Sequence, residues 1–103
     1  MTKKINLPCN GNGGINGIGA KNVRDTITFA TSGVCTFTSF NFVWSGADPY
    51  YPPGFSSKNP ADGVGSEVSY SYDGTPIPDT GYDFVYSVTT PIRGNGSGTI
   101  KNT

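Results

Sequence analysis

The chain contains no histidine, and this absence removes several classes of catalytic and metal site. Ser-His-Asp and Cys-His catalysis both need an imidazole that carries a proton. Zinc and copper sites that use an imidazole ligand are excluded too, and two cysteines cannot complete a four-thiolate zinc site. We therefore predict no catalytic residue, no metal ligand and no cofactor, and we expect that the protein is not an enzyme.

Residues that favour helices are nearly as scarce. Leucine, methionine and glutamate each occur once, as Leu7, Met1 and Glu67. Fifteen glycines and eight prolines interrupt helices and form turns. Aromatic residues make up 13% of the chain, and aromatic and β-branched side chains favour strands. The 103 residues are therefore predicted to form a single all-β domain, spanning 1–103, with a core of Phe, Tyr, Val and Ile.

Neither charge is in excess, and the sequence has no long apolar run. Seven basic residues balance seven acidic ones, and the longest basic run is Lys3-Lys4. A nucleic-acid-binding surface needs a positive stripe that collects phosphates, so we predict no nucleic-acid partner. No apolar stretch approaches the ~18 residues of a membrane-spanning helix, so we predict no membrane span.

Cys9 and Cys35 are the only cysteines, and the sequence leaves their state open. A disulfide between them would be typical of small secreted β domains. The alternative is a pair of buried free thiols, each acting as a small hydrophobic residue. No secretory signal precedes them, and Met1 fits either a native start or a methionine added to a mature or excised domain. We expect an extracellular or surface location.

Alternation between apolar and polar residues predicts six or seven strands separated by Gly, Pro, Asn and Asp turns. The third strand has apolar residues on both faces, which predicts a bulge near Ser39. We expect a hairpin between the second and third strands, because Phe29 and Phe37 flank the turn that joins them. Residues 10–19 and 94–98 are rich in glycine and are predicted to be a loop and a turn. The predicted strands cover 3–7, 23–30, 34–44, 67–72, 82–90 and 99–101.

This pattern predicts a small antiparallel β-sandwich of the immunoglobulin/fibronectin type, with a small β-barrel as the alternative. Two stretches resemble known sandwich domains. Residues 77–86 resemble fibronectin type III-like domains where an apolar residue and a turn precede a Tyr and an alternating strand. They are also similar to the Asp-x-Gly-x-Tyr corner of immunoglobulin domains, with Tyr82 one residue early. Residues 92–102 are similar to the closing strand of Calx-β-type repeats in bacterial adhesins, with Thr103 where those repeats have Asp.

Residues 45–65 form the longest stretch without alternation, and this stretch contains four prolines. Long irregular segments inside compact domains are uncommon and are frequently functional. Aromatic rings stack on sugars and anchor protein partners, and prolines lower the entropy lost on binding. The alternative is that the segment folds back as a plug over one end of the core. The predicted ligand-binding residues are Trp44, Tyr50, Tyr51 and Phe55, as stacking or anchoring rings, and Asp48, as a polar orienting group.

The sequence thus predicts a non-catalytic binding module, secreted or surface-displayed, that contacts a carbohydrate or a protein through this aromatic, proline-rich segment. The alternative is a structural or assembly subunit, such as a fibre, capsid or adhesin spacer, that binds no small ligand and self-associates through its edge strands. A third hypothesis, an enzyme with paired carboxylates, needs one carboxyl group with a raised pKa. Most aspartates stand beside Gly or Pro, where Asp commonly caps a turn.

Overall fold

The computed structural model describes residues 2–9, 14–19, 24–31, 33–44, 51–89 and 93–101. These residues form eight strands and no helix, which confirms the all-β prediction. Two of the strands, β2 and β5, lie in stretches that the sequence predicts to be loops. The strands are β1 Thr2–Leu7, β2 Gly14–Gly19, β3 Asp25–Thr31, β4 Thr36–Val43, β5 Phe55–Asn59, β6 Glu67–Tyr72, β7 Tyr82–Thr89 and β8 Gly94–Lys101.

The strands form two four-stranded sheets that pack face to face. One sheet has the order β1-β3-β6-β5 and the other has the order β2-β8-β7-β4. An immunoglobulin constant-type domain pairs its seven strands A to G as ABED and CFG. The strand order matches this arrangement, with β2 added beside β8, and the two separate sheets confirm the small β-sandwich rather than the barrel. β1 departs from the immunoglobulin pattern, because it lies parallel to β3, whereas strands A and B are antiparallel. Most neighbouring strands are antiparallel, but β1 with β3 and β2 with β8 are parallel pairs.

The core between the sheets is built mainly from aromatic rings, as the composition predicts. The rings of Phe29, Phe40 and Phe84 are fully buried at its centre. Their centroids lie 4.4 Å apart for Phe29 and Phe40, 5.0 Å for Phe29 and Phe84, and 5.3 Å for Phe40 and Phe84. Ring pairs at such distances each contribute about 0.5–1.5 kcal/mol beyond the burial of their surface. Ring-to-ring packing therefore takes the place of most aliphatic packing in a chain that has a single leucine.

The bulge predicted near Ser39 is present in β4. The register against β7 shifts between Phe37 and Ser39, so that Thr38 is the extra residue. The shift turns Phe37 inward on one side of the bulge and Phe40 inward on the other, and both are fully buried. Val43, which simple alternation places on the same face as Phe37, instead faces solvent with 57% of its surface exposed. Because of one inserted residue, Phe37 and Phe40 point into the same core, although simple alternation would place them on opposite faces of the strand.

The predicted hairpin between β3 and β4 is wrong, because these strands lie in different sheets. β3 pairs with β1 and β6, whereas β4 pairs with β7. The two strands meet through their side chains across the core, where Phe29 contacts Phe40. The connection between them is held by the Thr31 hydroxyl, which donates to the carbonyl oxygen of Cys35 at 2.7 Å.

The predicted turn at 94–98 is also wrong, because these residues belong to β8. Gly96 pairs with Tyr86 across the β7–β8 ladder. A Cβ atom on Gly96 would lie 2.3 Å from Cζ of Tyr86, closer than any side chain tolerates. The glycine is needed because a buried ring occupies the space over its Cα, and it does not mark a turn. The loop predicted at 10–19 fails similarly, since β2 runs through it beside β8.

Candidate functional site

Trp44 directly follows β4, at the end of the sandwich where residues 45–65 begin. Its ring is half-buried and packs against the core. The indole lies edge-on to Tyr82, the first residue of β7, with 5.2 Å between ring centroids and an interplanar angle of 80°. Trp44 is therefore fixed by a core contact and exposes only part of its ring.

Tyr51 holds the segment from its other side. Its ring is half-buried and lies 6.2 Å, centroid to centroid, from the ring of Tyr70. The Tyr51 hydroxyl accepts a hydrogen bond from the backbone N–H of Lys58 at 3.1 Å. This bond ties the residue to β5, because Lys58 lies within that strand. Next along the chain, Pro52 is fully buried.

Phe55 is a core residue, so the prediction that it contacts a ligand is wrong. Only 5% of its surface is exposed. Its ring centroid lies 4.7 Å from that of Tyr72 and 4.9 Å from that of Phe42. Phe55 begins β5 and pairs with Tyr72, which directs its ring inward. Tyr51, Pro52 and Phe55 pack on the core, as the alternative prediction of a plug expects, whereas Pro53 between them is exposed.

Asp48 and Tyr50, the other two predicted contact residues, lie outside the described residues. The structure therefore brings together Trp44, Tyr51 and Phe55 at one end of the core. In the sequence, residues 45–50 stand between Trp44 and Tyr51, two partly exposed rings whose positions are fixed by packing.

The last part of the segment lies against the edge of β4. The N–H of Phe37 donates to the carbonyl of Gly65 at 2.7 Å, and the N–H of Gly65 donates back at 3.0 Å. Gly63 lies so near this strand that a Cβ atom would be 2.8 Å from the backbone nitrogen of Phe40. Residues 60–65 thus cover backbone groups of β4 that would otherwise face solvent.

A small cavity of about 270 Å³ brings two aspartates together, Asp25 at the start of β3 and Asp73 after β6. Oδ1 of Asp73 accepts hydrogen bonds from the hydroxyl of Thr75 at 2.6 Å and from its N–H at 2.8 Å. These bonds lower the pKa of the Asp73 carboxyl, and the nearby Arg24 adds to the effect. A catalytic acid needs the opposite shift, so Asp73 fits the predicted role of a turn cap.

Asp62 caps a second turn, since its Oδ1 accepts the N–H of Val64 at 3.1 Å. Within the described residues, no group of three or more His, Cys, Asp or Glu side chains is arranged to hold a metal ion.

Cys9 and Cys35 form a disulfide with 5.8 Å between their Cα atoms. Cys9 follows β1 in the first sheet, and Cys35 directly precedes β4 in the second. The bond therefore links the two sheets at the end of the sandwich opposite Trp44. Cys35 is 3% exposed and Cys9 is half-buried, so the disulfide packs against the edge of the core.

A further cavity, of about 590 Å³, was not predicted. It lies on the outer face of β4, β7 and β8, and five of its seven described lining residues have polar side chains. The sequence does contain a signal for this cavity, namely Ser, Thr and Asn residues at alternate positions of β7 and β8. The signal was missed because the glycines in 94–98 led to the prediction of a turn there. The lining residues are Thr38, Ser87, Val88, Thr89, Arg93, Gly94 and Asn95.

Over the described ranges, the fold includes no helix long and apolar enough to cross a membrane. Comparison with protein-family models, with curated proteins and with solved structures finds no match to this chain.

Proposed function

We propose that the chain is a non-catalytic binding module, secreted or surface-displayed, that contacts a carbohydrate or a protein through residues 45–50 and the two rings beside them. The observation that supports this proposal is that the residues on either side of this stretch, Trp44 and Tyr51, are both held in place by contacts with the sandwich. Trp44 packs on Tyr82 at one end, and Tyr51 packs on Tyr70 and accepts a hydrogen bond at the other.

Rigid attachment favours binding because less conformational freedom is lost when a ligand is contacted. Each of the two rings keeps part of its surface open to solvent. Amphipathic rings of this kind supply contact area for sugars and for protein side chains. Tyr50 adds a third ring within the same stretch, and Asp48 adds a carboxylate that can orient a polar ligand.

The alternative, an assembly subunit that joins through its edge strands, is less well supported. Lys3 and Lys4 lie on edge strand β1, and edge strand β5 is bulged between Ser56 and Asn59. Edge strand β4 is covered in part by Gly65. Charges, bulges and covering segments are features that oppose edge-to-edge pairing of sheets. Sedimentation tests the alternative: self-association at micromolar concentration favours it, and a monomer opposes it.

The test of the binding proposal is a glycan-array screen of the purified chain beside the variant Tyr50→Ala. Tyr50 is preferred to Tyr51 as the target because Tyr51 packs on the core, so its loss would confuse binding with stability. We expect a wild-type ligand to be bound at least about tenfold more weakly by the variant.

Val64→Ala is the matched control, because Val64 is an apolar residue of the 45–65 segment that lies at its other end and is 49% exposed. Its binding should equal that of the wild type, and both variants should keep the wild-type melting temperature. Undiminished binding by Tyr50→Ala, or equal loss in Val64→Ala, would show that residues 45–50 do not form the contact surface.

A further inference from the structure

The unpredicted cavity on the outer face of β4, β7 and β8, which we call the polar groove, lies beside an irregularity of the sheet. The bulge in β4 adds Thr38, an exposed residue that is not needed for packing the core. Bulges commonly occur where a strand redirects a side chain towards a functional site.

Hydrogen-bonding groups line the groove. Ser87 lies between Ser39 and Asn95 in a row across the three strands. The Ser87 hydroxyl donates to Oδ1 of Asn95 at 2.8 Å, which fixes the amide and leaves its Nδ2 hydrogens for another acceptor. Thr38 and Thr89 add two hydroxyl groups that both donate and accept.

Arg93 gives the groove its charge. None of the described residues that line the groove is acidic, and Arg93 is the one charged residue among them. Asp83, an acidic residue on the same face of β7, stands near the other end of that strand and accepts the Thr99 hydroxyl at 2.6 Å. A guanidinium presents paired donors that match the two oxygens of a carboxylate.

We propose that the polar groove binds a saccharide that carries a carboxylate. The carboxylate would pair with Arg93, and the sugar hydroxyls would bond to Thr38, Thr89 and Asn95. A volume of about 590 Å³ is ample for one or two sugar rings. No aromatic residue is among the described lining, so recognition relies on hydrogen bonds and charge rather than on stacking.

The polar groove is separate from the contact surface around Trp44. Tyr82, which packs against Trp44, begins β7, and Thr89, which lines the groove, ends it. A strand of this length spans roughly 24 Å. The two binding proposals therefore stand or fall independently, and variants at one surface leave the other intact.

The test is an NMR titration of the ¹⁵N-labelled chain with D-glucuronate. We expect saturable shifts in residues 87–89 and 93–95, with a dissociation constant on the order of 1 mM. D-glucose and acetate, which carry only the hydroxyls or only the carboxylate, should each bind at least about tenfold more weakly. Thr38→Val, which keeps the shape of the side chain and removes its hydroxyl, should weaken D-glucuronate binding several-fold.

Arg93→Gln should weaken D-glucuronate binding at least about tenfold. Arg24→Gln is the matched control, because it makes the same change of charge at an exposed site next to Gly74, at the other end of the sandwich. It should bind as the wild type does. Absence of saturable shifts, equal weakening in both arginine variants, or acetate that binds as tightly as D-glucuronate would each overturn the proposal.

Discussion

Replacing Cys9 and Cys35 together by alanine removes the covalent link between the end of β1 and the start of β4. The two residues are separated by 26 positions, and the loop that their bond closes includes β2 and β3. In the unfolded chain, the disulfide keeps the ends of this loop together and so reduces the number of conformations that folding must give up.

The size of the effect follows from the loop length. The chain-entropy relation gives about 3.5 kcal/mol of stability at 25 °C for a loop of this size. Because the stability of a small domain is about 5–15 kcal/mol in total, the loss is a large fraction of it. For a domain near 100 residues, it corresponds to a fall in melting temperature of roughly 15–25 °C.

Urea unfolding followed by tryptophan and tyrosine fluorescence measures the change. The wild type should lose the predicted stability when a reductant is added, whereas the Cys9→Ala/Cys35→Ala variant should be unaffected by it. The variant should also unfold with a larger m value, because its unfolded chain is free to expand. A wild type whose unfolding midpoint does not change with reductant, or a variant that loses less than about 1 kcal/mol, would refute this reasoning.

Two further predictions concern the aromatic core. Gly96→Ala should cost about 1–3 kcal/mol in urea unfolding, because the new Cβ would meet the buried ring of Tyr86. The neighbouring exposed change Ser97→Ala should cost less than about 0.5 kcal/mol, and equal losses would contradict the explanation. The contribution of the tyrosines to the free energy of unfolding should also be constant below about pH 10 and fall above it, because unfolded tyrosines lose their protons near pH 10 while folded ones retain them. The folded tyrosines concerned are those whose pKa is raised by burial, namely Tyr70, Tyr72, Tyr82 and Tyr86. Measurements of the free energy of unfolding at pH 8 and at pH 11 check this prediction, and equal values at the two would contradict it.

Strands with clear alternation were predictable from the sequence. Glu67–Tyr72 is a strand over the whole predicted range, and Tyr82–Thr89 is a strand over all the described residues of the predicted range 82–90. Alternation succeeds there because one face packs on the core and the other faces water. The bulge in β4 was predictable for the same reason, since apolar residues on both faces need a change of register.

Glycine-rich strands were not predictable, because the meaning of a glycine depends on its neighbour in space. Gly96 is required by Tyr86 on the adjacent strand, and the two residues are ten positions apart in the sequence. The β3–β4 connection failed similarly, since short linkers join strands of one sheet or of two facing sheets. The two cases are distinguished by the pairing partners: β3 pairs with β6 and β4 pairs with β7, so the two strands belong to different sheets.

The candidate site was predictable in its location but not in the role of each ring. Trp44, Tyr51 and Phe55 do gather at one end of the sandwich, as a proline-rich segment that follows a strand suggests. Their burial differs because β5 directs Phe55 inward, and β5 shows no alternation. Its strand is short and bulged, and Ser57 within it adopts a positive φ of 55°.

The strand order has a consequence for how the chain folds. Most neighbouring strands are distant in sequence, and the β2–β8 pair joins Gly14 to Ser97, near opposite ends of the chain. Domains that depend on such long-range pairing fold in about milliseconds to seconds, because a large loop must close before its contacts form. β2 is an edge strand whose one partner among the described strands is β8, so the seven remaining strands already form a sheet of four and a sheet of three around the core. We expect β2 to attach last during folding and to detach first, as the most independent unit of the sandwich.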